Sequence, residues 1–314
     1  MGILLGVLTA AFWGTSDFVA RFAAHKIGAL RTSLYMQLAG FVLLNLFLPW
    51  VGGWGHLRDG SGWQPWAWGA LAGILNAIAT LSLYRSFEIG KMAVVAPLSA
   101  SYPALTVALS LFTGDHLTHS RLAGIACIIA GVALVAGGEK PPDEVAGDNS
   151  AAEPGTAAVF SATDSREVLS TSPPKNRSGV GWAFISAIGF GILFWLLGTR
   201  IVPAVGYAAT VWMIRLTSSI LTMLVILCLR QPLAFRRPGP IPFWLVAMGV
   251  LDTGAFVLNN LGMRIEQVAV ISVLASLYGA ITVALAAIFL REHVSRWQWL
   301  GIVAIFTGIF FISR

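Results

Sequence analysis

The chain has 314 residues, of which 57% are hydrophobic and 11% charged, and carries a formal net charge of +6. Soluble domains carry roughly 25% charged residues, so these figures exclude an ordinary soluble protein and point to a multi-spanning membrane protein. The positive charge sits in short loops, not in a basic patch interleaved with aromatics. That pattern argues against a nucleic-acid partner.

A bilayer core about 30 Å thick needs about 20 apolar residues in helix. Ten segments satisfy this, near 3–20, 33–51, 66–84, 93–112, 120–137, 179–198, 208–228, 242–262, 269–289 and 296–313. They must be helical, because backbone polar groups in lipid have no water to bond. The first segment lacks the basic flank of a signal peptide and belongs to the fold. Cys127 and Cys228 fall inside apolar runs and read as packed thiols, not as a disulfide or metal ligands. Residues 138–178 break the pattern. They hold Pro141, Pro142, Pro154, Pro173 and Pro174 and half of the chain's 14 acids. This composition predicts a disordered, acidic, Pro-rich linker between two halves, 1–137 and 179–314.

The halves read as one unit written twice, at an offset of about 176–177 residues. Gly14 answers to Gly191, Met36 to Met213, Gly73 to Gly249, and Tyr102 to Tyr278. Thr106-Val107-Ala108-Leu109 answers to Thr282-Val283-Ala284-Leu285, and Gly124 and Gly131 answer to Gly301 and Gly308. Each unit ends in an apolar span, a polar break with one acid (Asp115, Glu292) and a second apolar span. Five spans per half is an odd number, so the second half should enter the membrane upside down. Loop charge agrees: successive loops carry three, one, two and one Lys or Arg in the first half, and one, three, one and two in the second. The basic-rich loops are expected in the cytoplasm, with both termini outside and the linker inside. The fold class expected is therefore an all-α integral membrane protein, ten transmembrane helices in two inverted five-helix repeats. Such repeats are the architecture of secondary transporters.

The stretch LYRSFEIGKMAVVAPLSASYPALTVALSL, residues 83–111, resembles the signature region of the EamA family of the drug/metabolite transporter superfamily. The second half is similar to the same domain again. The resemblance implies a ten-helix transporter of small organic solutes, often an exporter, in a bacterial inner membrane. It also implies a central cavity lined by the first four helices of each half, with the fifth and tenth peripheral.

Three ionisable residues fall inside spans: Asp17, Arg215 and Asp252. Buried charges in a bilayer are costly and tend to be functional. Helical rise puts Arg215 and Asp252 at depths differing by about 6 Å, within reach of an Arg side chain. They form either a solute site, with the cation taking a carboxylate and the acid a proton or amine, or a structural ion pair. Asp17 lies four residues before Arg21, so it is either an anchoring intrahelical pair or a gate or coupling residue. Asn76 aligns with Asp252 across the repeat, as a cavity group or an interhelical hydrogen bond. Trp13, Trp195, Tyr84, Tyr102 and Tyr278 are candidates for an aromatic box, against a packing role. Pro97 and Pro103 should kink the fourth helix. Val273 and Gly279 stand at the equivalent positions, so the two halves should not bend alike.

No G-x-S-x-G, H-E-x-x-H or Walker A pattern occurs. His116 and His119 form an H-x-x-H in a short turn with no third ligand in view. No cofactor, metal or catalytic residue is expected, and transport would run on a gradient, by exchange or by facilitated diffusion. The expected partners are a small organic solute and the lipid bilayer. A non-transporting receptor or scaffold whose linker binds a cytosolic partner is the alternative reading. An intramembrane lipid enzyme is a third, for which the sequence offers no nucleophile–acid–base cluster. Small residues in the fifth and tenth helices suit association between copies and internal packing equally well.

Overall fold

A computed structural model describes residues 1–51, 62–90, 92–114, 116–137, 179–234, 239–290 and 296–312. The acidic segment 138–178, Asp115 and Glu292 lie outside these residues. Among the described residues all regular structure is helical. The helices are α1 (Gly2–Ile27), α2 (Ala29–Val51), α3 (Gln64–Ile89), α4 (Met92–Ser99), α5 (Pro103–Phe112) and α6 (His119–Gly137). They continue with α7 (Val180–Leu196), a single helical turn Val202–Val205, α8 (Tyr207–Cys228), α9 (Ile241–Ile265), α10 (Val268–Ala275), α11 (Tyr278–Leu290) and α12 (Arg296–Ile312). Seven stretches of the described residues are long and apolar enough to cross a membrane, counting Val268–Leu285 as one. Pro103–Phe112, His119–Gly131 and Trp299–Phe311 are shorter apolar helices.

Local geometry recurs between the two regions. The α1–α2 turn pivots on Gly28 (φ 84, ψ 155), and the turn before α8 pivots on Gly206 (φ 89, ψ 156). Only glycine adopts that backbone without strain. Gly28 N donates to Ala24 O and Gly206 N to Val202 O, both at 2.8 Å. Thr32 and Thr210 then return their hydroxyls to the Gly28 and Gly206 carbonyls. Just before the second turn, Leu197–Ile201 widens into a π-turn. Pro203 explains it: its ring would clash with the Thr199 carbonyl in a regular helix.

The expectation that the halves bend differently is overturned. The first copy breaks between α4 and α5, and the second breaks at the matching place between α10 and α11. Pro103 opens α5 and supplies no N–H. The second copy has no proline and breaks with a serine hydroxyl and tightened backbone bonds alone. Ser276 Oγ donates to Val273 O at 2.7 Å, and the backbone tightens to i→i−3 bonds at Leu277 and Gly279. Ser101 does the same for Leu98 O in the first copy. A serine hydroxyl that takes a carbonyl three residues back competes with the helical ladder.

Packing is paired across the two regions. α1 lies on α9 and α3 on α7, α8 contacts both α2 and α3, and α6 lies along α12. The α6–α12 contact is backbone-close: a Cβ on Gly131 would meet Gly301 O at 2.7 Å, and one on Gly308 would meet Gly124 O at the same distance. These small residues are thus used within the chain. Thr106 Oγ1 donates to Gly191 O at 3.0 Å, and Thr282 Oγ1 to Gly14 O at 3.1 Å, so α5 is tied to α7 as α11 is to α1. Trp50, Trp63, Trp66, Trp297 and Trp299 are exposed near helix ends, where indole rings suit the bilayer interface. Cys127 gives its thiol to Ala304 O, but Cys228 is exposed at the end of α8, not packed.

Candidate functional site

Both helix breaks lie beside one buried cavity. Its walls are Trp13, Asp17, Thr80, Leu83, Tyr84, Tyr102, Phe190, Phe194, Asp252, Phe256 and Tyr278. The construction is regular. Four helices each present two residues spaced four apart: Trp13 and Asp17 on α1, Thr80 and Tyr84 on α3, Phe190 and Phe194 on α7, Asp252 and Phe256 on α9. Such pairs share a helix face. Tyr102 and Tyr278 enter from the two breaks and stack at 6.4 Å with an interplanar angle of 14°. Trp13 packs against Phe194 (5.3 Å) and edge-on to Phe256 (5.1 Å). About 30 Å³ is open to the centre of a water molecule. That space holds one or two waters. Organic ligands occupy pockets of roughly 300–1,000 Å³, so this conformation is closed on itself.

Arg215 and Asp252 meet: Arg215 Nη2 lies 2.5 Å from Asp252 Oδ2. Arg215 Nη1 donates to Gln37 Oε1 at 2.6 Å, and the guanidinium sits 5.1 Å from the Phe256 ring centre. Arg215 is fully buried and Asp252 is 8% exposed. Asp252 lines the cavity but Arg215 does not; the cation stands outside it, between α2 and α9. Gly40 makes that placement possible. A Cβ there would collide with Thr253 Oγ1 and press on Arg215 Nε at 3.0 Å.

Asp17 is 5% exposed and reaches the same cavity. Among the described residues the ion pairs are Arg85–Glu88, Arg121–Glu266 and Arg215–Asp252, and Asp17 is in none of them. The intrahelical Asp17–Arg21 pair, one of the two alternatives for Asp17, is therefore not formed. Residues four apart are rotated by about 40° around a helix, which permits contact without imposing it. Asn76 and Trp195 do not line the cavity either. Asn76 Nδ2 donates to Ser218 Oγ at 3.1 Å, and Ser218 Oγ donates to Gly73 O at 2.8 Å, bridging α3 to α8. Trp195 Nε1 reaches Thr113 Oγ1 at 3.3 Å. Trp195 follows Phe194, so the two point about 100° apart, and Phe194 holds the cavity face.

Of the residues singled out from sequence, Trp13, Asp17, Tyr84, Tyr102, Asp252 and Tyr278 come together. Thr80, Phe190, Phe194 and Phe256 were missed. The available signal was spacing: Phe256 lies four residues after Asp252, and Phe190 and Phe194 flank Gly191, the equivalent of Gly14. A further cluster, also missed, ties the start of α6 to the start of α10. Arg121 Nη1 meets Glu266 Oε1 at 2.8 Å and Gln267 Oε1 at 2.9 Å, while Gln267 Nε2 donates to His116 O.

The profile of the EamA-like transporter family matches residues 1–137 and 177–314, most of the chain in two pieces. The chain belongs to the EamA-like transporter family. This EamA-like chain is also 31% identical, over 138 residues, to an uncharacterized protein of Methanocaldococcus jannaschii. The match takes in 42% of this chain and 94% of the relative. A crystal structure of another protein superposes with a TM-score of 0.70 at 18% identity, covering 99% of this chain and 95% of that one. That likeness shows the fold alone. Family and apolar helices together make this a multi-pass membrane protein of a transporter family.

Proposed function

We propose that this protein is a secondary transporter that moves a small organic solute across the cytoplasmic membrane by alternating access. The observation that carries the reading is the closed cavity at the meeting of the two helix breaks, walled by α1, α3 and the α4–α5 break on one side and α7, α9 and the α10–α11 break on the other. A site built equally from two like units can open to either side as they rock. Ten transmembrane helices in two inverted repeats fit the matched glycine turns, the matched breaks and the reciprocal threonine bonds. A relative matched nearly end to end by 138 residues fits the repeat as a unit. Loop charge favours both termini outside and 138–178 in the cytoplasm, as a tether between domains 1–137 and 179–314. Solute contact is assigned to Trp13, Tyr102, Tyr278 and Asp252, with Asp17 facing the same space. Arg215 positions the Asp252 carboxylate, and Asn76 and Trp195 hold the surrounding helices.

The test is counterflow in vesicles holding the purified protein, with amino acids, nucleosides, sugars, organic acids and organic cations as solutes. At least one should exchange, and Tyr102→Ala should cut that exchange at least about tenfold while the protein stays folded by size-exclusion chromatography. A complete lack of flux across the panel, in both directions, would sink the transporter reading.

A further inference from the structure

We infer that the central cavity takes an organic ammonium group, with Asp17 as its counter-charge and the surrounding rings as its cage. This deepens the transporter reading and rests on it. Three observations lead there. Among the described residues the charged groups lining the cavity are both carboxylates, Asp17 and Asp252, with no Lys, Arg or His in its walls. Asp252 is already neutralised, since Arg215 holds it from outside the cavity at 2.5 Å. Asp17 is outside every ion pair of the described residues, so the cluster of Asp17, Asp252 and Arg215 carries one negative charge in excess when both acids are ionised. An uncompensated carboxylate at this depth in a bilayer is costly. A cation arriving in the cavity would remove that cost.

The remaining walls say which kind of cation. Trp13, Tyr84, Tyr102, Phe190, Phe194, Phe256 and Tyr278 present ring after ring to the same space. Oxygens stand in these walls too, on Asp17, Asp252, Thr80 and the three tyrosines, so what favours an organic cation over a bare metal ion is the density of rings around them. An ammonium on an apolar body matches instead: ring faces attract a cation held within about 6 Å, most strongly when water is excluded. The Tyr278 hydroxyl is buried without a hydrogen-bond partner. Tyr102, stacked on it, has its own hydroxyl occupied by Ser272 O at 3.0 Å. Tyr278 is thus left to accept from an ammonium N–H or from water. The closed space admits only water, so the ammonium enters when the two regions part and the cage re-forms around it. An anionic solute is disfavoured by the same arrangement, because it would face two carboxylates with Arg215 out of reach.

The test uses full-length protein in detergent and in vesicles, with matched probes. Phenethylamine, phenyltrimethylammonium and choline carry the positive charge. Phenylacetate, 2-phenylethanol and 3,3-dimethylbutan-1-ol copy their shapes as anion or neutral molecules. We expect at least one ammonium to raise the Tm and to exchange into vesicles, while phenylacetate, 2-phenylethanol and 3,3-dimethylbutan-1-ol do neither. Asp17→Asn should weaken that ammonium's Kd at least about tenfold, roughly 1.4 kcal/mol at 25 °C, and Asp17→Glu should restore most of it. Equal binding of neutral and charged probes would overturn the inference, as would a preference for phenylacetate or no binding by all three ammonium probes. So would an Asp17→Asn protein that folds and keeps its ammonium affinity, which would leave Asp17 serving a proton or the structure. The two readings fail separately. Flux confined to anions or neutral solutes removes the ammonium and keeps the transporter; no flux across the broader panel removes the transporter itself.

Discussion

The two regions matched to the family differ in a telling way. Their scaffolds are nearly interchangeable: Gly28 and Gly206 turn alike, Thr106 and Thr282 reach across to equivalent glycine carbonyls, and both broken helices break in the same place. Their cavity residues are not. Where the first region puts Asp17, the second has Phe194. Where the second has Asp252, the first has Asn76, which is turned away to Ser218. Scaffold positions must serve two packing problems with the same solution, because each half packs on the other. Cavity positions face one shared space, to which each region brings one carboxylate at a non-equivalent place, Asp17 and Asp252, and only the second carries an arginine partner for its own. Geometry is therefore kept at equivalent places in both regions, while charge stands at different places in each.

Substitutions can break this contrast from either side. The largest effect is expected at the buried ion pair. Arg215→Ala or Asp252→Ala each strands a charge, which typically costs about 3–5 kcal/mol. Removing both should cost clearly less than the sum, as read by denaturation of the purified protein in mixed micelles. Asn76→Ala, at the equivalent place in the first region, should cost far less, because its partner Ser218 keeps its bond to Gly73 O. Equal losses at Asn76 and Asp252 would contradict the asymmetry of charge.

Next come the glycine turns. Gly28→Ala and Gly206→Ala force a side chain into a backbone region that costs about 1–3 kcal/mol. The two should lose similar amounts of Tm, and a large loss at one alone would mean that the scaffolds are not equivalent. Smaller still are the reciprocal threonine bonds. Interhelical hydrogen bonds in membranes average about 0.6 kcal/mol, so Thr106→Val and Thr282→Val should each lower stability slightly and by the same increment. The smallest static effect belongs to Arg121–Glu266, a partly exposed pair worth about 0–1 kcal/mol. Glu266→Gln should leave the Tm nearly unchanged. If this contact holds its end of the bundle shut, the same substitution should speed the labelling of a cysteine placed at Tyr278.

Much of the architecture was legible in the chain itself. Long apolar runs must become helices in lipid, and the paired motifs around Tyr102 and Tyr278 showed where the two regions correspond. The bends were misjudged because proline is only one way to break a helix. Ser276 achieves the same end with its hydroxyl, and a single serine carries no comparable mark in sequence. Among site residues, depth arithmetic brought Arg215 to Asp252, since both lie on helices of known rise. Phe194 and Phe256 escaped notice because apolar aromatics in an apolar span look alike whether they face lipid, a neighbour or a cavity.

By itself the sequence determined the membrane setting, the helical class, the correspondence of the two regions and the short roster of buried charges. Each follows from composition, periodicity or the cost of charge in hydrocarbon, which act along the chain. The tertiary structure decided which of those charges share a space. It set Arg215 outside the cavity and Asp17 within it, and turned Asn76 and Trp195 to other partners. That choice depends on how each helix is rotated against its neighbours. Rotation is fixed by close contacts such as Gly40 against Arg215 and Thr253, between residues far apart in the chain.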